Sequence, residues 1–174
     1  MPVLYNKEGT RIEGAKLQEA YELCRTQCKQ LGIPYGKIVD VEPDRKGTKR
    51  WGVCQRTPAG FTIKINQRLL ADGVDKNGLL TTVMHEILHT CPDCWNHGKV
   101  WKAYAAKVKQ EFGYDVKRAT SSEEKGVEAI VRVDRYKFRC QKCGAIVGRA
   151  KVSAFTKHPE NYRCAACGGR FIRL

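Results

Sequence analysis

The run His85-Glu86-Ile87-Leu88-His89, with a third histidine at His97, narrows the folds open to this chain more than any other stretch. An α-helix turns once every 3.6 residues, so residues 85 and 89 rise from one face and their ring nitrogens can reach a single metal ion about 2.0–2.1 Å away. Glu86 is rotated from His85 by about 100°. A carboxylate there stands beside the metal's open position without filling it, and can take a proton from a water whose pKa falls to about 7 on the metal. These are the parts needed to hydrolyse a peptide bond, with Glu86 as general base. Leu79, Leu80, Val83, Met84, Ile87 and Leu88 recur at helical spacing and give the helix a face to bury. Pro92 cannot extend a helix, so Thr90 to Cys94 turns the chain and can return His97 to the metal.

The segments around this motif predict an α+β order. Apolar residues from Ile12 to about Leu31 repeat as one amphipathic helix, stopped by Gly32 and Pro34. Lys37–Val41, Trp51–Gln55 and Phe61–Ile65 alternate as strands, and Thr57-Pro58-Ala59-Gly60 joins the last two as a hairpin turn. These strands are expected to form a small antiparallel sheet. Residues 77–90 form the metal helix. Gly98 to Phe112 forms a support helix, with Val100, Tyr104, Val108 and Phe112 on one face and Trp101 placed either beneath the ligands or in plain core. Between Tyr114 and Ala129 the pattern breaks into polar, turn-prone residues. The expected division is therefore residues 1–116, a linker over 117–130, and a second module over 131–174.

That second module carries Cys140-x2-Cys143 and Cys164-x2-Cys167. Two such pairs make a closed tetrahedral thiolate site, which holds structure and leaves no open position for catalysis. So short a β-rich segment needs its metal, because apolar burial alone would not stabilise it. Two Zn²⁺ ions per chain are expected, one catalytic and one structural. Cys91-x2-Cys94 is open to three readings: a redox pair, a further knuckle, or two ordinary thiols in a turn. Cys24 and Cys28, one helical turn apart, read as core.

Charge points to a partner. The chain carries a net +14, of which +9 falls after residue 116, where 14 Lys/Arg face 5 Asp/Glu. An excess of this kind favours a polyanion, most simply nucleic acid. Candidate phosphate contacts are Lys137, Arg139, Lys142, Arg149, Lys151 and Arg163, with Tyr136, Phe138, Phe155 and Tyr162 as candidate base-stacking platforms. The N-terminus lacks the apolar core of a signal peptide and no apolar run is long enough to span a bilayer, so an intracellular location without a membrane partner is expected. Nine cysteines, an odd number with four at zinc-ligand spacing, fit a reducing compartment.

The HEILH motif, the His97-Gly98-x2-Trp101 that follows, the Trp51–Cys54 and Phe61–Asn66 strands and the four-cysteine ribbon together resemble the SprT-like zinc metalloproteases, which include the Spartan proteases of DNA–protein crosslink repair. The resemblance spans residues from about 12 to 174. It implies a zincin-like core followed by a zinc ribbon, with His85, His89 and His97 as ligands of the catalytic zinc, Glu86 as general base, and Cys140, Cys143, Cys164 and Cys167 as ligands of the structural zinc. It also implies a ribbon that packs near the active site, binds DNA with single-stranded character, and directs proteolysis to DNA-bound or crosslinked proteins. The compact layout looks more like bacterial or viral members than the long-tailed eukaryotic ones, implying a cytoplasm or nucleoid setting in a bacterium or the host cytoplasm for a virus. Two other readings compete: a non-enzymatic zinc-ribbon nucleic-acid-binding protein, and a zinc peptidase without DNA dependence. An extended substrate is expected to add to a sheet edge, at either the Trp51–Gln55 or the Phe61–Asn66 strand.

Overall fold

In a computed structural model, which describes residues 3–47, 49–130 and 133–174, the chain is α+β and divides into two units, Met1–Ala129 and Ile130–Leu174. Met1 and Pro2 of the N-terminal stretch, and residues 131 and 132 at the start of the expected ribbon, lie outside the described residues.

The first unit opens with β1 (Val3–Tyr5), β2 (Arg11–Glu13) and α1 (Ala15–Gln30), continues with β3 (Ile38–Asp44), β4 (Gly52–Thr57) and β5 (Gly60–Asn66), and closes with α2 (Lys76–Leu88) and α3 (Lys99–Phe112). The sheet has five strands in the order β1-β2-β3-β5-β4. It is mixed, not antiparallel as expected, because α1 crosses between β2 and β3, which run parallel, and β3 also runs parallel to β5. Ile12, expected to begin the helix, instead sits in β2, where it is buried opposite Val41. The β4–β5 hairpin forms as the turn residues require, with Thr57 opposite Gly60.

Alternation along the strands sends Val41, Ile63 and Ile65 into a core shared with Leu17, Tyr21, Val83 and Leu88 of the helices. The opposite face is charged, with Arg11 bonding Asp40 at 3.0 Å and Lys64 bonding Glu42 at 2.8 Å. Cys24 and Cys28 are core residues on α1. On α3 the buried residues are Trp101, Ala105 and Val108; Val100 is exposed, so the buried stripe is turned from the expected one.

Residues 117–129, expected as a linker, belong to the first unit. Val116 and Val127 are buried in its core, Trp51 Nε1 donates to the Thr120 carbonyl at 3.2 Å, and Lys125 is buried. The segment reads as a linker because it is held through backbone carbonyls, one lysine and a single valine, none of which produces an apolar period.

The second unit is a three-stranded antiparallel sheet, β6 (Tyr136–Cys140), β7 (Ile146–Arg149) and β8 (Phe171–Arg173), with β6 central, and a single-turn helix α4 (Ala154–Lys157). Phe138, Phe155 and Phe171 fill its small core; Phe138 and Phe155 meet at 4.7 Å between ring centroids. The whole +9 excess lies here, because residues 130–174 hold 11 Lys/Arg against 2 Asp/Glu while 117–129 balance three against three. Among the described residues, no helix is long and apolar enough to cross a membrane.

Candidate metal centre and its cleft

α2 starts on Asp75, whose side chain accepts from the Asn77 amide, and ends at His89, which keeps right-handed helical geometry as the C-cap. His85 and His89 therefore project from one face. Beyond them the Thr90 and Cys91 amides donate to the carbonyls of Ile87 and Leu88 and the Cys94 amide to that of Cys91, while Asp93 takes a left-handed conformation (φ 57°). This turn sets His97 just ahead of α3 and back beside the other two.

The Nε2 atoms of the three histidines lie 3.0, 3.1 and 3.2 Å from one another. Tetrahedral ligands with bonds of about 2.0–2.1 Å stand about 3.3–3.4 Å apart, so the triad is already close to the edge length that zinc requires. His85 Nδ1 faces the Lys117 carbonyl at 2.9 Å and His89 Nδ1 the Cys94 carbonyl at 2.8 Å. A carbonyl only accepts, so each of these Nδ1 atoms carries the hydrogen and each Nε2 presents its lone pair to the centre. Burial holds all three imidazoles neutral, His85 most strongly, at about 3. Trp101 packs beneath, its ring centroid 4.9, 5.9 and 4.7 Å from those of His85, His89 and His97.

Glu86 is 5 % exposed and lies against β4. A Cβ on Gly52 would stand 2.5 Å from its Oε1, so β4 can approach the carboxylate only because residue 52 has no side chain. Burial pushes the Glu86 carboxyl up to about 8; the Cys54 backbone amide and the Lys125 ammonium pull the other way. A metal dication bound beside it would pull the carboxyl back toward the ionised form that a general base needs. His85 and Glu86 line a cleft of about 260 Å³ with Trp51, Gly52, Thr82 and Lys125. Of the two expected edge strands, β4 is at the sheet edge; β5 is flanked by β3 and β4.

Cys91 and Cys94 are buried in the turn before His97, and the Cys94 carbonyl orients His89. The sequence missed the roles of Lys117 and Cys94 because both act through backbone oxygen, which any residue supplies. Gly52 was visible only as part of a strand pattern.

In the second unit the sulfurs of Cys140, Cys143, Cys164 and Cys167 gather within 4.8 Å of one another, with Cys140–Cys167 at 3.4 Å and Cys143–Cys164 at 3.7 Å. Tetrahedral bonds of about 2.3 Å put sulfurs about 3.8 Å apart, so this set also fits a metal ion. The Cys143 and Lys142 amides aim at the Cys140 sulfur and lower its pKa to about 6, favouring the thiolate. Gly169 makes room for the knuckle, since a Cβ there would stand 2.7 Å from that sulfur.

Lys137, Arg139, Lys142, Arg149, Lys151 and Arg163 are all exposed. Lys137 and Arg139 share a face of β6, and Arg149 lies over Phe155 at 5.1 Å. The aromatic candidates divide. Phe138 is buried under the sheet and Phe155 nearly so, which removes both as base-stacking platforms; Tyr162 is exposed and Tyr136 half-buried with Arg173 over its ring. No family model matches the chain, and no curated protein matches it.

Proposed function

We propose that the chain is a zinc-dependent endopeptidase of the SprT-like kind, with a zincin-like core in its first unit, stimulated by DNA and acting on proteins bound or crosslinked to DNA. The observation that carries the hydrolytic reading is the convergence of three histidine Nε2 atoms at 3.0–3.2 Å, with a buried carboxyl on the helix that carries two of them. A closed structural site has no use for that carboxyl, which is why the enzyme is favoured over a purely structural histidine cluster. Zinc held by His85, His89 and His97 would polarise a peptide carbonyl and acidify water. Glu86 takes the proton as general base and returns it to the leaving amine. The edge of β4 offers unpaired backbone groups on which an extended substrate aligns beside Glu86, with little demand on its sequence. The ribbon's zinc is structural, and its exposed cations hold the nucleic acid.

The direct experiment incubates the zinc-loaded protein with a DNA-binding protein, with and without single-stranded DNA, beside Glu86→Gln. Glu86→Gln should keep its zinc and lose about 10²-fold or more in rate, the usual scale of acid–base catalysis. Wild-type cleavage that is insensitive to this change would sink the assignment of the base, and equal cleavage with and without DNA would leave a peptidase without DNA dependence.

A further inference from the structure

The cleft beside Glu86 contains a buried cation that this reading does not use. Lys125 is 4 % exposed, and its Nζ donates to Thr81 Oγ1 at 2.7 Å and to the Gly78 carbonyl at 3.3 Å. Both acceptors are neutral, and an ammonium has a third hydrogen to place. The carboxylate next to it in sequence, Glu124, is held by Lys117 at 2.6 Å. A buried charge without a hydrogen-bonded counter-ion is costly, and burial lowers the Lys125 pKa to about 8. Glu86 is the one carboxylate among the cleft's lining residues, and its work is beside the metal. The other charged groups of the lining include Lys49, Arg50 and Arg118, all exposed at the rim and all positive.

We propose that this cleft is a side-chain subsite of the peptidase and that Lys125 makes it select an aspartate or glutamate next to the scissile bond. The inference rests on the peptidase reading above. A volume of about 260 Å³, at the small end of ligand sites, leaves room for an amino-acid side chain. Position argues the same way, because the cleft is lined by His85 and Glu86 and by Gly52 of the edge strand, where a strand-added substrate can lay a side chain. A carboxylate entering it would give Lys125 the partner it lacks, in a desolvated, charge-assisted hydrogen bond. The rim cations would draw the same group in. A nucleic-acid strand is the weaker fit, since a buried ammonium at the depth of one side chain cannot track successive phosphates.

The test measures binding separately from cleavage. Full-length, zinc-loaded Glu86→Gln is titrated by fluorescence anisotropy with an otherwise constant peptide in which one Asp, Asn or Lys is moved through successive positions. One position should favour Asp over Asn and Lys by at least tenfold, and Lys125→Met should erase the preference while a thermal melt shows the protein still folded. The comparison among peptides needs no change at Lys125, so instability of that variant does not rescue the idea. Equal affinity for the three peptides at every position overturns the subsite. Displacement of the Asp peptide by a short single-stranded oligonucleotide, lost with Lys125→Met, also overturns it and makes the cleft a phosphate site. Mass-spectrometric mapping of wild-type cleavage then separates the two readings. Cuts without acidic enrichment mean that the peptidase stands and the subsite falls, whereas an Asp preference in binding without any Glu86-dependent cleavage overturns both the peptidase reading and the subsite, and leaves only a cleft that binds acidic side chains.

Discussion

At the scale of the residue, the site depends on side chains that are held more tightly than their types demand. Trp101 is 2 % exposed and supports all three imidazoles, yet its Nε1 hydrogen is buried without a protein partner among the described residues. What the tryptophan contributes is therefore volume and ring edges, not a hydrogen bond. Trp101→Phe should cost about 1–2 kcal/mol at most, since it removes an unsatisfied donor along with some packing, whereas Trp101→Ala should cost about 3–5 kcal/mol and loosen zinc as the imidazoles lose their floor. Denaturant titrations and a chelator competition assay would measure both; an equal loss from the two variants would contradict this account. Glu86 leads to a second expectation, for chelator-treated protein. Its folded pKa is about 8 against an ordinary 4.5, so the folded state keeps a proton that the unfolded chain releases, and the stability this contributes below pH 4.5 is lost as pH rises toward 8. The histidines, lowered from 6.5, act in the opposite direction below that value. Between pH 6.5 and 8 Glu86 acts without them, so the metal-free stability of the first unit should fall across that window and Glu86→Gln should be flatter, whereas Cys140, lowered from 9.0 to about 6, acts the other way in the second unit. The histidines and Glu86 were legible in the sequence because helical period alone puts them on chosen faces. The Lys117 and Cys94 carbonyls that fix two imidazoles were not, since tertiary packing decides which backbone oxygens arrive there.

At the scale of the element, β4 is as much a part of the site as α2. Gly52 allows the edge strand to touch Glu86, and Gly52→Ala would drive a methyl to within 2.5 Å of Oε1 and 2.7 Å of Cγ. Backbone and carboxylate cannot both stay. The expected outcome is a fall in kcat of about tenfold or more with zinc content unchanged, because the histidines do not move while the base does. Zinc analysis beside steady-state kinetics checks it; a variant with wild-type kcat would mean that the carboxyl has room to relocate without consequence. The same strand illustrates what patterning can and cannot reveal. β4, β5 and their turn were legible from alternation and from Pro58 and Gly60, and α1 to α3 from their apolar stripes. β1 and β2 were not, because three residues are too few to show a period of two, and the parallel pairing of β2 with β3 depends on a crossover that no local window contains. On α3, lysines at 99, 102, 107 and 109 leave the apolar stripe broad, so its buried centre, at Trp101, Ala105 and Val108, was settled by packing.

At the scale of the whole molecule, charge and chemistry are divided between the two units, with the histidine triad in a unit of net +5 and the thiolate cluster in one of net +9. If the second unit is held together by its metal, it can carry so dense a positive surface on a core of three phenylalanines because the thiolates replace apolar area as the source of stability. Lys137 and Arg139 lie on one face of the central strand with Lys142 in the following knuckle, all exposed, and among the described residues of this unit no carboxylate pairs with them, Glu160 being hydrogen-bonded to His158 instead. Cations left free in this way release condensed counter-ions when they meet phosphates. Binding of single-stranded DNA should therefore weaken steeply with salt, with log K falling by about 0.7 per log unit of salt for each contact. Replacing Lys137, Arg139 and Lys142 together with Glu should flatten that slope and abolish DNA stimulation of proteolysis. Cleavage of a short unstructured peptide should persist, because none of the three belongs to the cleft beside Glu86. Anisotropy titrations at several salt concentrations, paired with cleavage assays with and without DNA, read both effects. A wild-type protein with no DNA affinity at low salt would reduce the ribbon to a structural or substrate-selecting role and leave the peptidase to act without nucleic acid.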